Sequence, residues 1–361
     1  MIDTPGFAKP TPMEGHGVYN RSSRVQAAGL SPAVPLLEQA AETVPLAAGP
    51  QPVVIVDYGS SEGHNSLGPV AAAITVLRKR VGLERAISVV HTDLPDNDFT
   101  ALFRTLATDP QSYLSGDVAV FPFVIGRSFY EQILPTNSVT LGWCSWAVQW
   151  LSRVPAAIPD QVQIAYSKDH VARASYARQA DEDWRTFLTQ RGRELRPGGQ
   201  LVVLTMAVNE TGNFGYQPLL EAMYAALLEM VEEGFIEAEE ARRMAIPTVG
   251  RSRADLVAPF ADGGSFADLS INQIEVFPGE DKIWAQFEGD RDAHAFGARW
   301  AAFSRASVFP TLASGLTGGQ DDPRAATFVD RLEAGMTVRL AKAPERMLIP
   351  LGKLVLEKNQ G

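Results

Sequence analysis

The chain has 361 residues, with 32 Lys and Arg against 42 Asp and Glu, and so a formal net charge of −10. That acidity argues against nucleic-acid and anionic-membrane partners, which need a basic face, and 45% apolar with 20% charged residues exclude an intrinsically disordered chain. The single cysteine, Cys144, excludes an internal disulfide and fits a reducing cytoplasm.

The first residues, MIDTPGFAKPTPMEGHG, hold three prolines and no apolar stretch, so they do not read as a signal peptide. The longest uncharged run, between Glu131 and Arg153, has the length of a membrane span but is broken by polar residues and by a turn at Pro135 and Asn137, which predicts a soluble protein. Residues 53–57 (VVIVD) predict a strand running into Tyr58-Gly59-Ser60-Ser61, followed by a helix over 66–80. Further strands are predicted at 86–91, 118–124, 138–142 and 200–205, with a helix over 98–107. Apolar strands alternating with helices indicate a doubly wound, mainly parallel α/β sheet. From residue 206 the pattern changes to helices at 217–234, 237–244, 293–303 and 325–339, with strands returning at 270–277 and 347–356. The expectation is a single unit with an α/β core over about 45–205, 265–285 and 340–361, and an inserted α-helical cap over about 206–264 and 286–339. The six glutamates between Glu229 and Glu240 read as a solvated helical face.

Three features carry chemistry. The turn after the first strand is D-x-G-x-x-x-G, with Asp57, Gly59 and Gly63, whereas a dinucleotide fold prepares a phosphate site with G-x-G-x-x-G. An acid in that turn suits a cationic, phosphate-free ligand such as S-adenosylmethionine, and it disfavours a nicotinamide oxidoreductase. The second strand ends in HTDLPDNDF (91–99), where Asp93 can accept from both ribose hydroxyls of a nucleoside while Asn97 and Asp98 cap the next helix. Trp143, Trp146 and Trp150 have the i, i+3, i+7 spacing of one helical face, placed after the fourth strand where ligands of such sheets bind. The five histidines are dispersed without metal-ligand spacing, so no metal site is expected, and Cys144 reads as a packed small residue.

Seven ordered segments resemble the SABATH family of S-adenosylmethionine-dependent methyltransferases, which act on small carboxylic acids and xanthine alkaloids. They are MEGHGVYNRSSRVQ (13–26), VDYGSSEGHNSL (56–67), HTDLPDNDFTALFRTL (91–106), IGRSFYEQILP (125–135), TLGWCSWAVQWLSRVP (140–155) and RPGGQLVVLT with GGSFADLSINQIEVF (196–205, 263–277). The resemblance implies a class I methyltransferase fold, S-adenosylmethionine as cofactor, a small carboxylic acid as acceptor and a homodimer. It implies cofactor contacts from Tyr19, Ser23, Asp57, Asp93, Leu94, Ser128 and Phe129. It further implies that Gln26 and Trp150 hold the acceptor carboxylate, and that Trp146 and Gln149 line the acceptor pocket. Glu14, His16, Ser22, Gln149 and Gly142-Trp143-Cys144 depart from the family pattern, which leaves the acceptor's identity open. N-methylation of a heterocycle and a non-catalytic nucleoside-binding role are the alternatives.

Overall fold

The structure is a computed structural model that describes Met13 and residues 29–360. The parallel part of the sheet is built from β1 (Val53–Tyr58), β2 (Ile87–Asp93), β3 (Val120–Gly126), β4 (Val139–Ser145) and β5 (Leu195–Met206). The last three strands, β6 (Ser265–Phe266), β7 (Leu269–Pro278) and β8 (Pro350–Lys358), complete an eight-stranded sheet in the order β3-β2-β1-β4-β5-β8-β7-β6. β3 to β5 run parallel, and β8, β7 and β6 add on antiparallel. The chain reverses its winding between β1 and β4, which places the switch-point crevice at the carboxyl ends of those two strands. This is the expected doubly wound, mainly parallel fold.

Alternation along the central strands distributes side chains to two cores. Ile55, Leu141, Trp143, Val202 and Leu204 pack with α1 (Val34–Thr43), α2 (His64–Val81) and α3 (Phe99–Thr108) on one face. Val56, Tyr58, Cys144, Leu201 and Val203 face α4 (His170–Glu194) through Trp184, Phe187 and Leu188. Sheet faces covered on both sides explain why β1, β4 and β5 are almost wholly buried.

The remaining helices are α5 (Gln217–Glu232), α6 (Ala238–Arg243), α7 (Arg253–Val257), α8 (Lys282–Asp290), α9 (Ala293–Ser307), α10 (Phe309–Ala313) and α11 (Ala325–Lys342). α11 packs between α5 and α9, and Phe296, Trp300, Phe328 and Leu332 are fully buried there. No helix among the described residues is long and apolar enough to cross a membrane.

Three sequence expectations are corrected. The tryptophan segment forms no helix: Trp143 lies inside β4, Trp146 takes a left-handed φ of 55°, and Trp150 pairs in a single bridge with Thr248. A helical spacing of three tryptophans was produced by a strand followed by a turn. The glutamate run is not simply solvated either. Glu240 is buried, receives both guanidinium nitrogens of Arg324 at 3.0 and 2.6 Å, and closes a capping box with Glu237 at the start of α6. Arg324 and the Thr317 hydroxyl hold the Glu240 carboxyl down at about 2 against the opposing cost of burial. Finally, Asn97 does not cap α3. Asp98 does, accepting from Ala101 N at 2.8 Å, while the Asn97 amide donates to Ser61 O.

Candidate active site

The crevice begins where β1 ends. Gly59 has φ 88°, and a side chain there would place its Cβ 2.5 Å from the Ala147 Cβ, so this glycine lets the β1 turn approach the turn after β4. Gly59 N and Ser60 N both donate to Thr92 O, and Ser61 N donates to Asp93 Oδ2 at 2.7 Å, which ties the β1 turn to the end of β2. The hydroxyls of Ser60 and Ser61 are buried without a hydrogen-bond partner among the described residues. Orphaned buried hydroxyls at strand carboxyl ends are groups that a ligand can satisfy.

The two acids found from sequence stand on neighbouring strands. Asp93 Oδ1 accepts from Leu94 N and Oδ2 from Ser61 N, both at 2.7 Å. Burial raises its carboxyl to about 6 even though those two amides oppose the shift, with the Asp57 charge adding to the rise. Asp57 is itself fully buried, and its Oδ2 lies 3.0 Å from His91 Nδ1 on the paired residue of β2.

Ser128 and Phe129 follow β3 on the far side of Asp93, and Ser128 Oγ accepts from Tyr130 N. Their segment is fastened from beneath by residues that the sequence reading missed. Arg191 donates to Phe129 O at 2.8 Å, to Glu131 O at 2.9 Å and to Glu194 Oε1 at 2.8 Å. Glu194 also accepts from Ile133 N and Leu134 N through Oε1 and from the Tyr58 hydroxyl through Oε2 at 2.7 Å. Arg191 and Glu194 are both 0% exposed, and the guanidinium sits 4.3 Å from the centre of the Tyr58 ring. The only sequence signal for this clamp was RGRE before the RPGG turn, on α4, a helix for which no expectation was formed.

Beyond β4 the crevice opens into a partly enclosed cavity. Trp146, Trp150, Met206, Tyr216 and Phe303 give it largely apolar walls, and among the described residues none that lines it is charged. Of the expected tryptophans, Trp146 and Trp150 therefore reach the cavity and Trp143 does not. Gln149 lines it too, but its amide is turned to the backbone: Nε2 donates to Trp146 O at 2.6 Å and Oε1 accepts from the Thr205 hydroxyl at 3.2 Å. The indole N–H of Trp150 has no hydrogen-bond partner among the described residues, while its carbonyl accepts from the Tyr130 hydroxyl. Arg251, fully buried, donates to Val148 O at 2.6 Å and Ala180 O at 3.0 Å and braces the same turn. Gly29 closes against the outside of Trp146, for a Cβ there would lie 2.5 Å from the indole Cζ2.

Tyr19, Ser23 and Gln26 lie outside the described residues. Among the described residues no three His, Cys, Asp or Glu side chains are grouped as a metal site would require.

The sequence pattern of the SAM dependent carboxyl methyltransferase family matches residues 11–349. A methyltransferase of Fusarium sp, LUC1, is 33% identical over 71% of this chain and 68% of its own length. Gibberellic acid methyltransferase 2 of Arabidopsis thaliana is 27% identical over 81% of each chain. The solved structure of a loganic acid methyltransferase with SAH superposes with a TM-score of 0.75 at 23% identity, covering 96% of this chain and 99% of that one, and shares its fold. These likenesses favour carboxyl methylation over heterocycle N-methylation and over a non-catalytic role. The chain is a member of the SABATH family of S-adenosylmethionine-dependent carboxyl methyltransferases.

Proposed function

We propose that the protein converts a small, predominantly apolar carboxylic acid into its methyl ester. The observation that carries this reading is the cavity beside the acidic crevice, whose described lining residues are uncharged and largely apolar and include Trp150, with no partner for its indole N–H among the described residues. An acceptor of that polarity is enclosed by apolar contact and oriented by a few neutral donors. The gibberellic acid named for one relative is an acid of the same character.

The crevice fits S-adenosylmethionine by the chemistry of its carboxylates and buried hydroxyls. In this reading Asp93 would hold the ribose hydroxyls, Ser128, Phe129 and Leu94 the adenine, and Asp57 the cationic methionine end. The unpaired Ser60 and Ser61 hydroxyls offer further partners, and Tyr19 and Ser23 complete the proposed set. When bound, the cofactor supplies an electrophilic methyl group on a sulfonium. The protein's own work is positional. A carboxylic acid is already ionised near neutral pH, so no residue needs to act as a base. Trp150 and Gln26 would donate to one carboxylate oxygen and aim the other, an orientation effect that can supply about 7–11 kcal/mol of barrier reduction. Attack of an anion on a cation destroys both charges, so the dry walls formed by Trp146, Tyr216 and Phe303 favour the transition state over hydrated reactants. The helices over 206–264 and 286–339 would serve as the cap that excludes water. The lone, fully buried Cys144 supports a cytoplasmic setting, and a homodimer follows from the family resemblance.

The test is incubation with S-adenosylmethionine and a panel of benzoate, salicylate, indole-acetate and fatty acids, read as methyl ester. Trp150→Phe, which removes one donor to a charged group, should raise the acceptor KM about thirtyfold, for a loss of about 2 kcal/mol. The cofactor KM should not move. No ester from any acid, or equal changes in both KM values, would refute the proposal.

A further inference from the structure

Methyl transfer to a carboxylate uses no proton shuttle, yet a buried titratable chain lies under the crevice. Asp57 Oδ2 is 3.0 Å from His91 Nδ1, and His91 Nε2 is 2.8 Å from the Tyr113 hydroxyl. His91 is wholly enclosed, Asp57 and Tyr113 nearly so, and the His91 and Tyr113 rings stack with centroids 5.9 Å apart. The directions of the bonds follow from what each atom can do. A carboxylate oxygen only accepts, so Nδ1 carries a proton and donates to Asp57. Burial, with the Asp57 charge as a lesser cause, pushes the Tyr113 hydroxyl well above its ordinary value, so it keeps its proton and donates to Nε2. Each ring nitrogen then has one partner, and the imidazole can neither rotate nor leave Asp57. The chain occupies one carboxylate oxygen and leaves Oδ1 with no donor among the described residues.

The position of Asp57 says what that free oxygen faces. β1 lies between β2, which ends in the nucleoside acid Asp93, and β4, which leads into the acceptor turn. A cofactor lying from the nucleoside side to the acceptor side must pass its amino-acid portion over β1. We infer that His91 and Tyr113 are positioning residues, which fix the Asp57 carboxylate so that Oδ1 receives the ammonium of the cofactor's methionine portion. The inference rests on the proposed cofactor site and adds to it the two residues that orient its acid.

The experiment compares two neutral thioethers bound to the full-length protein by calorimetry. S-adenosylhomocysteine carries the ammonium, and 5′-methylthioadenosine shares the nucleoside but lacks it. His91→Leu should weaken S-adenosylhomocysteine at least tenfold and methylthioadenosine less than twofold. His91→Asn, whose amide can stand in for the Nδ1 donor, should restore most of the loss. Tyr113→Phe removes a single oxygen and should show the same selectivity at three- to fivefold; if His91→Leu does not fold, this variant decides alone. Parallel losses for both ligands, or no loss for either, would overturn the inference, since a purely structural role moves both alike. If neither nucleoside binds the unaltered protein, the cofactor-site reading itself fails and this inference goes with it.

Discussion

The proposed cofactor side and the proposed acceptor side of the crevice are built on opposite principles. On the cofactor side charges abound and almost every one is tethered: Asp93 by two backbone amides, Asp57 by His91, and Arg191 and Glu194 by each other and by the backbone of 129–134. On the acceptor side the described residues of the cavity wall carry no charge, and the buried Arg251 is spent on two carbonyls behind the turn. The difference follows from the reactants. A cationic ligand is best held by acids whose orientation is fixed before it arrives, because an untethered buried charge is costly. An anionic acceptor that must lose its charge is better held by neutral donors, since a paired cation would stabilise the reactant more than the transition state.

The tethered side should break most dramatically. Arg191→Met leaves Glu194 buried and unpaired and removes two carbonyl contacts, so denaturant unfolding should show a loss of about 3–5 kcal/mol. Adding Glu194→Gln should return a substantial part of it. A single-variant loss below about 1 kcal/mol would mean that the segment carrying Ser128 and Phe129 is held in some other way.

Asp93 gives a smaller effect with a definite sign. Its carboxyl loses its proton near 6, above the ordinary carboxylate range. Between pH 7 and 5 the ionised fraction falls about tenfold, and S-adenosylhomocysteine affinity should fall with it. The stability contribution runs the other way. A carboxyl whose folded value is raised opposes folding above that value and is relieved as pH falls through it, so the unliganded protein should gain stability from this group between about pH 6 and 4. Asp93→Asn should flatten both profiles; affinity that stays level from pH 7 to 5 in the unaltered protein would remove Asp93 from the site.

The smallest expected effect concerns the untethered side. The overall charge of −10 offers an anionic acceptor no attraction from afar, so kcat/KM for the acid should change less than about twofold between about 50 and 500 mM salt. A steep fall with salt would reveal a cation near the cavity and erase the contrast drawn above.

What could be read from the sequence depended on how locally each feature is determined. β1 and β2 were legible because runs such as VVIVD end in turns rich in Gly, Ser, Asp and Asn, and the acids Asp57 and Asp93 stood out at those ends. α4 was not, because its buried face mixes Trp184 and Phe187 with Gln179, Asp183, Arg191 and Glu194, which blurs the apolar period. Several further partners of those polar residues lie far along the chain, as Tyr58 does from Glu194. Glu240 was misread for the same reason, its partner Arg324 being supplied by a distant turn. The tryptophan segment failed differently: a strand that buries Trp143 and a left-handed residue at Trp146 produce a spacing that a helix would also produce. His91 stood among five dispersed histidines, and only the fold set it between Asp57 and Tyr113.

The contact between Gly29 and Trp146 bears on how acceptor preference can be inherited and redesigned. Because the Trp146 indole rests on a position that has no side chain, its placement depends on a residue outside the described lining of the cavity. Replacing Gly29 by alanine would force the indole to move and reshape the cavity while leaving each of its wall residues unchanged. A lineage could therefore drift from one acid to another with an intact set of pocket residues, and libraries confined to the visible wall would overlook one of the shortest routes to a new substrate.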